Sequence, residues 1–153
     1  MAPTFHVPAH PGSTGDAVSR RMSALKRRDN GAELALRRLL HSRGYRYRVN
    51  YPVPGIPRRT IDIAFTRARV AIFVDGCFWH GCPEHGTQPR SNATWWAKKL
   101  AANKARDDDT AAHLSRVGWH VLRIWEHEPP EEAAVVVASL VDKPQTGSAP
   151  TTR

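Results

Sequence analysis

Cys77-Phe78-Trp79-His80-Gly81-Cys82-Pro83-Glu84-His85 gathers two thiols, two imidazoles and two adjacent aromatic rings in one short segment. Thiolate and imidazole are the ligands Zn²⁺ prefers, and tight spacing lets one loop wrap one ion. Cys77, Cys82 and His85 supply three ligands, and His127 closes a tetrahedron if its strand runs beside the loop. His80 is then left over. A neutral imidazole near a phosphate can take a proton from water, which makes His80 the general-base candidate. A second assignment stays open, with His80 binding zinc in place of His85 or His127.

Carboxylates form the other chemical group. Ile61, Ile63 and Phe65 alternate on one segment, and Val70, Ile72 and Val74 on the next. If these six side chains share a buried face, residue 65 pairs with 70 and 62 with 73. Asp62 then lies on the opposite face, diagonal to Asp75. An anion among such apolar neighbours is costly without a cation to meet, and oxygen ligands suit a hard ion such as Mg²⁺. The alternative is that Asp62 caps a turn or pairs with Arg58 or Arg59.

Phe78 and Trp79 adjoin the thiols, and Trp95 and Trp96 open a helical stretch. They are either packing around the metal and the sheet, or a wedge of rings that unstacks DNA bases. Lys and Arg number 23 against 14 Asp and Glu in 153 residues, a net charge of +9. That excess favours a polyanionic partner. Lys98, Lys99, Lys104 and the basic run Arg20 to Arg28 are generic phosphate contacts, whereas Asp107-Asp108-Asp109 reads as a solvated helix face.

The elements that must hold these groups follow from periodicity and punctuation. A basic helix is expected over 16–28, and a second over 32–43 with Leu36, Leu39 and Leu40 on one stripe and Gly44 ending it. Strands are expected at 45–51, 60–66, 70–75 and 119–125, a loop at 52–57, a long helix at 92–117 and a last helix at 130–141 with Pro in its first turn. Strand, long helix, strand is a crossover unit, so 70–75 and 119–125 should run parallel. The result is an α/β fold, a mixed sheet flanked by helices. One domain is expected over 16–142, between a disordered segment at 1–15 and a flexible tail at 143–153. The N-terminus does not read as a secretory signal, and no segment is apolar for long enough to span a bilayer, so the expected location is cytoplasmic. No extra apolar stripe asks for a partner, so a monomer is expected.

Asp75 to His85, Trp95-Trp96-Ala97-Lys98-Lys99-Leu100, Asn103-Lys104-Ala105-Arg106-Asp107 and Gly118 to Glu126 together resemble the very short patch repair (Vsr-type) DNA mismatch endonucleases, from about Ser19 to Glu128. The resemblance implies a restriction-endonuclease-like core with a structural zinc. It also implies Mg²⁺-dependent nicking of one strand 5′ to the thymine of a T·G mismatch left by deamination of 5-methylcytosine. It carries the metal-binding aspartate to Asp62, the catalytic histidine to His80 and a supporting glutamate to Glu33, which on spacing alone pairs with Arg37. It carries the stacking rings to Phe78, Trp79 and Trp96, and the zinc ligands to Cys77, Cys82, His85 and His127. The implied partner is mismatched double-stranded DNA, with a cytosine-5 DNA methyltransferase and repair proteins as functional associates.

Two departures stand out. Val74-Asp75 replaces a Thr-His pair. The backbone carbonyl of Val74 can still serve the metal, and Asp75 is by the register argument a candidate further ligand, placed with Glu33 among the residues that support catalysis. The zinc set is permuted, with His127 where the pattern has cysteine. A zinc-stabilised DNA-binding protein without catalysis, and a nuclease of the same fold with another DNA target, are the competing readings.

Overall fold

The computed structural model describes residues 20, 31–77, 82, 84 and 91–143. The expectations for 1–15, for most of 16–28 and for the tail beyond 143 lie outside them, as do Phe78, Trp79, His80 and His85. Helix α1 covers residues 31–42. It is followed by β1 (Arg48–Val53), β2 (Ile56–Phe65), β3 (Val70–Asp75), α2 (Ala93–Arg116), β4 (His120–Trp125) and α3 (Pro130–Val141). The strands form one sheet in the order β1-β2-β3-β4. The first three run antiparallel and β4 joins β3 in parallel, so the sheet is mixed as expected.

Each face of the sheet carries its own core. On one face Ile63, Phe65, Val70 and Ile72 meet Leu36 and Leu40 of α1 and Ala133, Ala134 and Val137 of α3. The i, i+4 spacing of Leu36 and Leu40 places both on one side of α1. On the other face Ala64, Ala71 and Phe73 meet Leu114 of α2. Helix α2 is mostly polar, and its buried residues are Trp96, Asn103, Thr110 and Leu114. The first three recur every seventh residue, a narrow stripe rather than a broad apolar face.

The β2–β3 hairpin has the expected register, with Phe65 opposite Val70 and Ile63 opposite Ile72. The single-face expectation fails at Ile61, which packs with the α2-side core. Across from this segment, Asn50 takes a left-handed backbone at φ 48°, between the pairs Val49–Ile63 and Tyr51–Ile61. The pairing keeps its register across Asn50 and shifts further on, between Pro52 and Val53.

Two other boundaries move. Tyr45 and Tyr47 precede β1 instead of opening it. Both rings meet Phe65 edge-on at 6.1 and 6.0 Å. Their hydroxyls donate to Asp142 Oδ2 at 2.8 Å and to the Arg37 carbonyl at 2.6 Å, so they tie this stretch to the helices and not to the strand ladder. Residues 52–57, expected as a loop, are two strand ends around a tight turn at Pro54-Gly55.

Gly55 has φ +87°, and a Cβ there would lie 3.1 Å from the His113 imidazole, whose Nε2 contacts the Pro54 carbonyl. Gly55→Ala therefore combines backbone strain with a clash, and should lower stability by about 1–3 kcal/mol. Thermal unfolding checks this. Adding His113→Ala should remove the clash and leave the backbone part.

Candidate active site

Asp62 lies in β2 at the point where the hairpin ladder gives way. Its Oδ2 accepts a hydrogen bond from the Val74 N–H at 2.9 Å. The two residues proposed on sequence grounds to share a metal are thus adjacent. This contact ties the aspartate to β3 across the strand gap, so its position is set by the sheet and not by a loop. Both residues line a cleft of about 340 Å³, which Asp75, Arg106 and Arg123 also line. The convergence of Asp62 and Asp75 at one end of the sheet is thereby realised.

Asp75 is only 4 % exposed. Arg123 Nη1 donates to both of its carboxylate oxygens, at 3.1 and 3.0 Å. Arg123 Nη2 donates to the backbone carbonyl of Asp107 on α2 at 3.1 Å, and the guanidinium stacks over Phe73 at 4.5 Å. A buried carboxylate held by a guanidinium is a compensated charge. The expectation that Asp75 offers itself to a metal thus meets a competing partner. Arg123 holds it.

The three-aspartate run on α2 is not the solvated face expected of it. Asp109 pairs with Arg59 at 2.7 Å, and Arg59 also donates to Thr110 Oγ1 at 2.9 Å. Asp107 meets Arg123 through its carbonyl and, at 3.9 Å, its carboxylate. Only Asp108 is exposed. Arg59, Asp107 and Arg123 are the site-forming residues that sequence reasoning missed. The seven-residue recurrence of Trp96, Asn103 and Thr110 was the available signal, because Asp107 lies on that same stripe.

Beyond β3, the parallel pairing continues with Glu126 N–H donating to the Asp75 carbonyl at 2.9 Å. This brings His127 against the thiols. His127 Nδ1 lies 3.1 Å from Cys77 Sγ and 3.9 Å from Cys82 Sγ. All three donor atoms lie within 4.8 Å of one another. Cys82 N–H closes the loop by donating to the Cys77 carbonyl at 2.9 Å. Burial, reinforced by Cys82, pushes the Cys77 thiol up to about 12. Two sulfurs and one imidazole in this proximity fit a soft-donor metal site.

Trp96 is buried and meets Trp95 edge-on at 4.8 Å, while Lys99 sits 5.6 Å over the Trp95 ring. The more accessible ring at this helix start is Trp95, not Trp96.

Glu33 is on α1, 3.6 Å from Arg37, the i, i+4 pair expected on spacing. Glu33 does not line the cleft.

Comparison with known proteins gives the family. Residues 14–85 match the family model described as DNA mismatch endonuclease Vsr. The chain is 43 % identical over 136 residues to the type II nicking enzyme V.NaeI of Lentzea aerocolonigenes, covering 87 % of this chain and 80 % of that protein. It is 40 % identical over 112 residues to the type II nicking enzyme V.XorIIP of Xanthomonas oryzae pv. oryzae, with 70 % and 77 % covered. It is 34 % identical over 113 residues to the DNA mismatch endonuclease Vsr of Escherichia coli, with 71 % and 68 % covered. The chain is therefore a DNA endonuclease, and it belongs to the Vsr family. Family membership sets aside the reading of a DNA-binding protein without catalysis. Among the described residues no helix is long and apolar enough to cross a membrane.

Burial raises the pKa of Glu33 above its ordinary value, and Arg37 offsets this only in part. A carboxyl raised on folding favours the protonated fold. Its stabilising contribution is present at low pH and is lost as pH rises through the folded value. Glu33→Gln should therefore raise the unfolding midpoint at pH 7 and lose that advantage near pH 4. Thermal melts across this range check the sign.

Proposed function

We propose that the protein nicks one strand of double-stranded DNA 5′ to the thymine of a T·G mismatch, the lesion left when 5-methylcytosine deaminates, and so starts very short patch repair. The observation that carries the reading is the Asp62–Val74 contact inside an arginine-lined cleft. A sheet-fixed carboxylate beside a main-chain carbonyl is an oxygen-donor pair suited to a hard divalent ion. Asp62 and the Val74 carbonyl would hold Mg²⁺, which when bound supplies charge stabilisation to the phosphate under attack.

The chain's own residues do the rest. His80 takes the proton from the attacking water. Glu33 has a supporting part from α1, and Asp75, already ion-paired, orders the cleft wall. Phe78 and Trp79 open the base stack at the mismatch, where unstacking costs least, and Trp96, buried at the start of α2, has to turn outward to join them. The basic surface holds the flanking phosphates. Cys77, Cys82, His85 and His127 hold a structural Zn²⁺ that fixes the loop carrying Phe78 to His80, in a restriction-endonuclease-like core. The convergence of Cys77, Cys82 and His127 supports this assignment. We further assign the protein to the cytoplasm as a monomer, linked in function to a cytosine-5 DNA methyltransferase and to repair proteins.

A second reading has a specific observation in its favour. Two of the relatives are named type II nicking enzymes. A nicking enzyme of this fold could take a different DNA target.

A cleavage panel over all mismatches in several flanking contexts separates the two. Nicking confined to T·G duplexes and dependent on Mg²⁺ is expected, whereas equal cutting of intact duplex would overturn the mismatch reading. His80→Ala should slow nicking by about 10²–10⁴-fold, the usual contribution of a general base, and Asp62→Asn should reduce it to background. DNA binding measured by gel shift should survive both.

Zinc is tested separately. Elemental analysis should find one equivalent in the native protein, and Cys82→Ala should lose it together with thermal stability. Full zinc content in that variant would remove Cys82 from the ligand set.

A further inference from the structure

We propose that Arg123 is a phosphate-contact residue, with its guanidinium fixed to meet the cleaved linkage in the cleft that Asp62 also lines. The inference deepens the reading of that cleft as the cleavage site and rests on it.

Arginine has long side-chain freedom and ordinarily extends into water. Here three contacts remove that freedom. Asp75 accepts from Nη1 with both oxygens, the Asp107 carbonyl accepts from Nη2, and Phe73 covers one face of the guanidinium. The contacts come from β3 and α2, two of the elements that line the cleft.

A guanidinium carries five N–H donors, and Asp75 and Asp107 draw on only two of its nitrogens. The side chain keeps 26 % exposure and lines the same cleft as Asp62 and Val74. A pinned, partly exposed cation of this kind loses little entropy on meeting an anion. That is the physical basis of preorganised charge stabilisation. Planar, bidentate donor geometry also matches a phosphodiester better than an ammonium does.

Charge balance points the same way. Asp62, Asp75 and Asp107 line this one cleft together with Arg58, Arg59, Arg106 and Arg123, so guanidiniums outnumber carboxylates there. Of these, Arg123 offsets the buried Asp75 and approaches Asp107. The departure Val74-Asp75 acquires a purpose on this account. The carboxylate at 75 is the anchor of the arginine, and the arginine is what meets substrate.

The test uses a double-mutant cycle between protein charge and phosphate charge. Arg123→Met alone strands a buried carboxylate and endangers folding, so the comparison is Asp75→Asn against Asp75→Asn/Arg123→Met, in which both charges are gone. Each protein binds a T·G duplex whose linkage 5′ to the thymine is a native phosphate or an uncharged methylphosphonate, with Ca²⁺ in place of Mg²⁺ to prevent cleavage. With the native phosphate, loss of Arg123 should weaken binding by about 10- to 100-fold. With the methylphosphonate, that difference should vanish. Arg123→Lys should recover binding only in part.

An equal loss on both duplexes, or no loss on either, would overturn the assignment, because a packing role does not sense the phosphate charge. The two readings fail separately. If the native protein nicks the T·G duplex and the cycle shows no coupling, only the Arg123 assignment falls. If it nicks elsewhere, the mismatch reading falls, and the cycle run at the linkage it does cut decides Arg123.

Discussion

The parallel register of β3 with β4 is the constraint on which the functional end of the molecule depends. The ladder runs from Val70 opposite His120 to Asp75 opposite Trp125 without interruption. Because strand side chains alternate, this places Arg123 on the same side as Asp75 and Phe73, and carries the chain on to His127 beside Cys77. A slip of one residue would turn Arg123 to the other face and leave Asp75 buried without its guanidinium. It would also move His127 away from the thiols. One register therefore sets both the charge balance of the cleft and the soft-donor cluster.

The cleft itself is built by interruption. β2 pairs regularly with β3 from Phe65 back to Ile63, and the next position is Asp62, whose side chain takes the Val74 N–H. A side-chain oxygen thus stands in for the ladder carbonyl. Opposite, Asn50 turns left-handed and β1 twists. Such departures from regular pairing favour functional sites because they re-aim side chains while the surrounding sheet stays rigid. Helix α2 completes the wall. Its buried stripe is polar at Asn103 and Thr110, of which Thr110 lines the cleft, whereas Leu114 at its far end reaches the apolar core.

Much of this was readable before any coordinates. The hairpin register, the crossover, the extent of α2 and α3, and the convergence of Asp62 with Asp75 follow from alternation, length and turn residues, which are local signals. The misreadings share a cause. Asp107 and Asp109 looked solvated because charge is ordinarily outside, and only the approach of Arg59 and Arg123 from other strands makes them half-buried. Tyr45 and Tyr47 alternate like strand residues, yet their rings and hydroxyls reach Phe65 and the helices. Ile61 packs with the α2-side core and Ile63 with the opposite one, a change that strict alternation in β2 does not announce.

The amino-acid sequence by itself determined the family, the mixed α/β layering and the donor types available for chemistry, because residue identity and spacing are properties of the chain alone. The tertiary structure decided which charges neutralise one another. It gave Asp75 to Arg123 and Arg59 to Asp109, and left Asp62 against the backbone of Val74. Those choices depend on distances between segments far apart in the chain, and electrostatic pairing has no periodicity from which such distances can be read.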